Sequence, residues 1–252
     1  MSTKAFPRDS KDSIEKLYGE DILRHFPRYG EFWSRFIGVK VRNGQLLPYG
    51  LRIPRQMSNV DRARIRKAYD EICMTHYSMF CHLAGAHFQA QNLRDISSPN
   101  SSKANRFRHW EAFESVYLHL GICFNEFSHL WKAFSSMQGL AVPKEDAFRA
   151  AGKLATLTNL EKVRSGITNR RNNITHYARG ANRMFAGKFY VPELARPNVT
   201  WYEELETKHW WETRKRVALD LENTENVIDA CDEVLINNLA TFLSNKGIRV
   251  GW

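Results

Sequence analysis

The sequence predicts an all-α protein in which four long amphipathic helices form a four-helix bundle. Apolar side chains recur every three or four residues along four long stretches, and short to medium connections join these stretches. Hydrophobic residues make up 43% of the 252 residues, which is enough for a packed core. No run approaches the ~18 apolar residues of a membrane span, and the charged N-terminus lacks a secretory signal. We therefore expect a cytoplasmic protein that does not enter a membrane.

Residues 1–60 are predicted to be an irregular N-terminal extension, because several prolines interrupt them. Within them, Arg42-Asn43-Gly44-Gln45 separates two short apolar runs, and Asn-Gly in this setting predicts a β-hairpin. We expect an arm or cap with this hairpin, followed by the helical bundle over residues 61–252.

The first two helices are defined by their apolar stripes. The first begins near Asp61, a residue suited to an N-cap, and ends before the loop at residues 97–102. The second ends near Gly139. The stripes are Ile65, Tyr69, Ile72, His76, Met79, Leu83, Ala86, Ala90 and Leu93, and then Trp110, Phe113, Tyr117, Leu120, Phe124, Phe127, Trp131 and Phe134.

The third helix begins at Glu145 or after Gly152 and runs to about Arg179. Residues 180–207 are less regular and include a small hairpin insertion across residues 184–191. The last helix covers about residues 209–244, and its apolar stripe predicts that it closes the bundle.

The chain carries 37 lysines and arginines against 27 aspartates and glutamates, a formal net charge of +10. Clustered bases suit a nucleic acid, because they release counterions when they neutralise phosphates. A merely basic protein without such a partner is the alternative. The excess is concentrated in residues 161–190, whose net charge is +6. The bases there are Lys162, Arg164, Arg170, Arg171, Arg179, Arg183 and Lys188.

Four potential metal ligands lie close together in the first helix, namely Cys73, His76, Cys81 and His82. On a continuous helix they point in several directions and cannot close a tetrahedral site by themselves. Buried thiols and packed histidines are the preferred interpretation, so we predict neither a metal nor another cofactor.

Residues 168–177 interrupt the apolar stripe of the third helix with arginines, asparagines and a histidine. Positions that break the local pattern are often functional. Arg171 and His176 are five residues apart, about 7.5 Å along a helix, so the arginine side chain can approach the imidazole. Arg170 is almost as well placed.

An arginine and a histidine in a basic setting suit metal-independent cleavage of RNA by its own 2′-hydroxyl. The imidazole of His176 can take or give a proton near neutral pH, and Arg171 can stabilise the charge that develops on the phosphate. Asn172 can orient either group by hydrogen bonding. One copy of each group makes a sparse site, so a symmetric dimer that joins two copies is expected.

The segment Arg171-Asn172-Asn173-Ile174-Thr175-His176 resembles the motif of HEPN domains, in which an arginine and a following polar residue shortly precede a histidine. Those domains are helical bundles. Many are metal-independent endoribonucleases of toxin–antitoxin, phage-defence or RNA-processing systems, with paired motifs at a dimer interface. The resemblance covers residues 61–245 as architecture and six positions as a motif.

The resemblance implies that Arg171 and His176 are catalytic and that Asn172 is their polar accessory. RNA, a second copy of the chain and an antitoxin or defence protein are the implied partners. Arg170, Tyr177 and Glu114 are further accessory candidates, with Glu111 and Glu126 as alternatives to Glu114. A glutamate at the edge of the buried face is the simpler reading of Glu114. We expect RNA contacts from Arg164, Arg179, Arg183 and Lys188.

Two other interpretations stay open at this point. A HEPN-type bundle with an inactive motif would bind RNA or a partner protein without turnover. An unrelated helical protein would carry the motif on a solvated basic helix face.

Overall fold

Four long helices dominate the computed structural model of the chain, and the predicted all-α fold is confirmed. The structure describes residues 26–37, 39–42, 45–48, 50–95, 103–141, 159–172 and 207–251. In chain order these form α1 (Pro27–Phe32), a π-helical turn (Trp33–Ile37), β1 (Val39–Arg42), β2 (Gln45–Pro48), β3 (Gly50–Arg52), α2 (Asn59–Asp95), α3 (Lys103–Met137), α4 (Leu160–Asn172), α5 (Thr207–Asn245) and β4 (Arg249–Gly251).

The predicted apolar stripes are the buried faces of the helices. All nine stripe residues of α2 are buried, and so are the seven of α3 from Phe113 to Phe134. Burying such a continuous row of side chains removes apolar area from water along the whole helix, which is what stabilises long helices in proteins. The four longer helices, α2 to α5, lie within the predicted helical stretches, and the predicted third helix is described over Leu160–Asn172.

The ends of the helices are set by local hydrogen bonds. The backbone N–H of Asp61 donates to Oγ of Ser58 (3.1 Å), whose hydroxyl donates to the Asp61 carboxylate (2.8 Å). Ser58 is therefore the N-cap of α2, and Asp61 lies at N3 with its backbone N–H capped by Ser58 rather than being the cap itself. At the C-terminal end of α3, Gly139 adopts a φ of 85°. The backbone N–H of Leu140 there donates to the carbonyl of Ser135 (2.9 Å).

Residues 26–52 are more ordered than the prolines suggest. Pro27 lies in the first turn of α1, where its missing N–H costs nothing. The hairpin predicted at Asn43-Gly44 is present, because β1 and β2 pair antiparallel with Arg42 opposite Gln45. The short strand β3 pairs antiparallel with β4 near the end of the chain, a pairing that the sequence does not predict.

The described residues group into two compact units, and both are discontinuous in sequence. The first draws on residues 1–77, 128–155 and 229–252, and the second on 78–127 and 156–228. The division of the sequence at residue 60 stays a prediction.

The core of the first unit is aromatic. Tyr29, Phe32 and Phe36 from the N-terminal helical segment are buried, as are Tyr69 of α2 and Trp131 of α3. The hydroxyl of Tyr69 donates to the carbonyl of Phe36 and ties that segment to α2.

The second unit contains segments of all four long helices. Its buried side chains include Met79, Phe80, Leu83, Ala86, Ala90 and Leu93 of α2, Phe113, Val116, Tyr117, Leu120, Cys123, Phe124 and Phe127 of α3, Leu160 and Ile167 of α4, and Val217, Asp220, Leu221, Thr224, Val227 and Ile228 of α5. This four-helix arrangement is where the candidate site lies.

Several predicted features fall outside the described residues. These are the hairpin insertion at 184–191, the start of the third helix before residue 159 and its extension beyond residue 172. Among the described helices, none is long and apolar enough to span a membrane.

Candidate active site

A buried carboxylate joins three helices of the second unit. The Tyr117 hydroxyl on α3 donates to Oδ2 of Asp220 on α5 (2.8 Å), and Nη1 of Arg170 on α4 donates to the same oxygen. Tyr117 is fully buried and Asp220 is 7% exposed. A carboxylate at this depth needs a compensating charge and donors, and Arg170 and Tyr117 supply both. The end of α4 is thereby attached to α3 and α5.

The sequence of α4 explains why the last two of its three arginines lie on its buried side. Leu160 and Ile167 form its buried side, and Arg170 and Arg171 follow Ile167 by three and four residues. Those are the spacings that place side chains on one face of a helix. The apolar stripe of α4 thus ends in two guanidinium groups, of which the first binds Asp220.

The second arginine lies against a glycine. A Cβ atom built on Gly121 would lie 2.6 Å from Cδ of Arg171, which is closer than side chains tolerate. Gly121 is buried and follows Tyr117 by one turn of α3. The missing side chain at Gly121 therefore makes room for the stem of Arg171, which is half-buried.

The structure describes three of the other predicted site residues. Asn172 is exposed at the last position of α4, directly after Arg171. Arg164 binds Glu161 on the same helix through Nε (3.1 Å), and this ion pair is exposed. Glu114 is half-buried on α3, two turns before Gly121, so its accessory role stays a prediction.

Five predicted residues lie outside the described part of the chain. They include the histidine of the motif, so its distance from Arg171 is a prediction as well. The five are His176, Tyr177, Arg179, Arg183 and Lys188.

Sequence reasoning missed Asp220 and the purpose of Gly121. The sequence predicts an acidic partner for the motif on the preceding helices, at Glu114, whereas Asp220, which contacts Arg170 directly before the motif, is on the following long helix. One signal was available: Asp220 lies three residues after Val217 and beside Leu221, so an acid occupies the buried side of α5. Acids are almost never fully buried unless they are paired, so that position predicts a basic partner.

Two imidazoles meet on the α2 and α3 helices of the same unit. Nδ1 of His82 lies 2.9 Å from Nδ1 of His119, so one ring donates a hydrogen bond to the other. Gly85 gives the His119 ring space, because a Cβ at Gly85 would lie 2.7 Å from it. Burial lowers the pKa of His119, and the charge of His82 lowers it further. His87, one turn after the His82 pair, binds Glu225 of α5.

The first unit contains a buried histidine–aspartate pair. Nε2 of His76 lies 2.9 Å from Oδ1 of Asp232, and neither side chain is exposed. The rings of Phe32 and His76 stack with their centroids 3.6 Å apart. This enclosure makes the pair a packing element between α1, α2 and α5 within the first unit.

The potential metal ligands of the first helix do not converge. His76 faces Asp232, whereas Cys81 is exposed and His82 faces His119. Within the described ranges, no three His, Cys, Asp or Glu side chains come together as a metal site requires.

Comparison with known proteins gives no match: no family model, no curated protein and no solved structure is significantly similar to this chain.

Proposed function

We propose that the protein is a metal-independent endoribonuclease of the HEPN type, acting in the cytoplasm as a homodimer within a toxin or defence system. The observation that supports this most directly is the position of Arg171. It lies in the last turn of α4 at the start of the Arg-to-His motif, inside the segment of net charge +6, and its stem lies against Gly121. An arginine held in this way is preorganised, and preorganised cations stabilise developing charge best.

The two neighbouring arginines have different roles in this proposal. Arg170 pairs with the Asp220 carboxylate, so its role is to anchor the end of α4. Arg171 is the arginine of the motif and is the proposed phosphate ligand, with Asn172 exposed beside it. Arg170 and Asp220 are therefore positioning residues: they hold the end of α4 in place and do not contact the substrate.

In the proposed reaction, the 2′-oxygen of a ribose attacks the adjacent phosphorus while the bond from phosphorus to the 5′-oxygen breaks. One imidazole of His176 accepts the proton of the 2′-hydroxyl, and a protonated imidazole donates to the departing 5′-oxygen. Two copies of the motif in a dimer supply both groups. The products end in a 2′,3′-cyclic phosphate and a 5′-hydroxyl, and Arg171 stabilises the charge on the non-bridging oxygens.

The test is RNA cleavage by the purified protein in EDTA. We expect turnover that His176→Ala and Arg171→Ala abolish, whereas His129→Ala and Arg216→Ala serve as matched controls elsewhere in the chain and retain activity. Circular dichroism checks that all four variants fold. Cleavage that survives His176→Ala contradicts the proposal. Salt-sensitive RNA binding without turnover supports the inactive binding module instead.

A further inference from the structure

A polar cavity of about 390 Å³ lies in the second unit, and neither Arg170 nor Asp220 is among its lining residues. It is formed by the last turns of α2 and the first turns of α3. Its volume is within the range of small-ligand sites. The lining residues are Gln89, Asn92, Asp95, Arg108, Glu111 and Ala112.

Hydrogen bonds within α2 hold the polar groups of this cavity in place. Nδ2 of Asn92 donates to Oε1 of Gln89 (3.2 Å), and Nε2 of Gln91 donates to Oδ1 of Asp95 (2.7 Å). The amide-to-amide bond uses one donor of Asn92 and one acceptor position of Gln89. The two side chains therefore keep donors and acceptors for a ligand.

Charges of both signs surround the cavity, which favours a neutral ligand with N–H donors over a phosphate; besides the lining residues, the Arg214 guanidinium interacts electrostatically with Asp95. Two carboxylates, Asp95 and Glu111, line it together with one guanidinium, that of Arg108. Carboxylates repel phosphate but accept hydrogen bonds from amines. The planar guanidinium of Arg108 is exposed and can stack on an aromatic ring. Acceptors at the edge of a heterocycle and a cation on its face are the usual elements of base recognition.

We propose that this cavity binds one unpaired nucleobase of RNA and prefers bases with an exocyclic amine to uracil. Carboxylates accept from the amine of cytosine, and Asn or Gln amides pair with adenine. Uracil has no exocyclic amine that could donate a hydrogen bond to Asp95 or Glu111. The inference rests on the proposed function, because it names the substrate feature that the same unit recognises.

The cavity and Gly121 lie at different places on α3. Ala112 precedes Gly121 by nine residues, about 13.5 Å along the helix axis and about 180° around it. The base site is therefore separate from the position of Arg171 and contributes to RNA binding.

The experiment measures binding of fluorescent 2′-O-methyl oligomers of cytidine, adenosine and uridine, each about eight nucleotides long. These probes lack the attacking hydroxyl, so binding is measured without turnover. We expect the cytidine and adenosine oligomers to bind roughly tenfold more tightly than the uridine oligomer. The double variant Asp95→Asn with Glu111→Gln should reduce this ratio to near one. The double variant Asp70→Asn with Glu222→Gln makes the same change in net charge at exposed positions, and should keep the ratio.

Failure of this inference is distinguishable from failure of the proposed function. Equal affinities for the three oligomers, or a ratio that survives Asp95→Asn with Glu111→Gln, overturn the base site even if unmodified RNA is cleaved. Selective binding that this variant removes supports the base site, even if unmodified RNA stays intact and the nuclease proposal falls.

Discussion

Asp220 and Arg170 form an ion pair between α5 and α4, although 50 positions separate them in the sequence. The same Asp220 oxygen accepts the hydroxyl hydrogen of Tyr117. A single carboxylate therefore fixes the end of α4, where Arg170 and Arg171 lie. The stability of the unit and the position of Arg171 depend on this contact.

Asp220→Asn should lower the free energy of unfolding by about 2–3 kcal/mol, somewhat less than for a fully buried pair because Arg170 is partly exposed. The variant keeps a side chain of the same size but leaves the guanidinium without its counter-charge. Chemical denaturation measures the change. Glu161→Gln is the matched control, because it breaks an exposed ion pair worth less than about 1 kcal/mol. Equal effects of the two variants would contradict the anchoring role of Asp220.

Gly121→Ala should reduce RNA cleavage by about tenfold to a hundredfold, because the new methyl group displaces the stem of Arg171 and a misplacement of about 1 Å can cost that much. Gly166→Ala is the matched control on α4, since no described atom lies within 4 Å of its added Cβ. It should raise the free energy of unfolding by about 0.5–1 kcal/mol through helix propensity and leave cleavage unchanged. Full activity of Gly121→Ala would show that the position of Arg171 is unimportant.

The His82–His119 pair should make folding stability depend on pH. The pKa of His119 lies below its ordinary value of 6.5 in the folded protein, mainly because of burial and also because His82 faces it. The unfolded chain therefore binds more protons near pH 6, and the contribution of His119 is present above pH 6.5 and lost as the pH falls. His119→Gln should make the decline in unfolding free energy between pH 7.5 and 5.5 shallower. If the unfolding free energies of the wild type and of this variant fell in parallel, His119 would not be the group that causes the pH dependence. His129→Gln is the control.

Cys81 should be the thiol that reacts first with a disulfide reagent. It is exposed, whereas Cys123 and Cys231 are buried. Burial raises the pKa of Cys73 and of Cys231 to about 12, and raises that of Cys123, so these three stay protonated at neutral pH. Titration with the reagent should show one fast equivalent, and Cys81→Ser should remove it. A fast phase that persists in Cys81→Ser would contradict this assignment and point to another thiol, with half-buried Cys73 the first to test.

Local information was enough to predict the helices. Residues from Ile65 to Leu93 repeat at the helical period, and each of the nine stripe residues is buried. The hairpin at Asn43-Gly44 follows in the same way from the backbone preferences of two neighbouring residues. By contrast, Pro27 was read as an interruption, although a proline is equally suited to the first turn of a helix such as α1.

The contacts of the candidate site required the tertiary structure. The sequence does not show that Arg170 pairs with Asp220 rather than with Glu114. Helical periodicity predicts which face of a helix is buried, but it does not identify the residue on another helix that a charged side chain contacts. The role of Gly121 cannot be predicted from its neighbours in sequence either. A glycine within a helix leaves space for another side chain, and only the tertiary structure shows that Arg171 fills it.

The sequence by itself determined that this chain is helical, which faces are buried, and that Arg171 and His176 are the residues to test. These properties depend on neighbours within one or two helical turns. The tertiary structure alone decided that Asp220 holds Arg170, that Gly121 accommodates Arg171, and that Gln89, Asn92 and Glu111 line one cavity. Such contacts join distant positions, and they form only when burial of the apolar stripes brings the helices of the unit together.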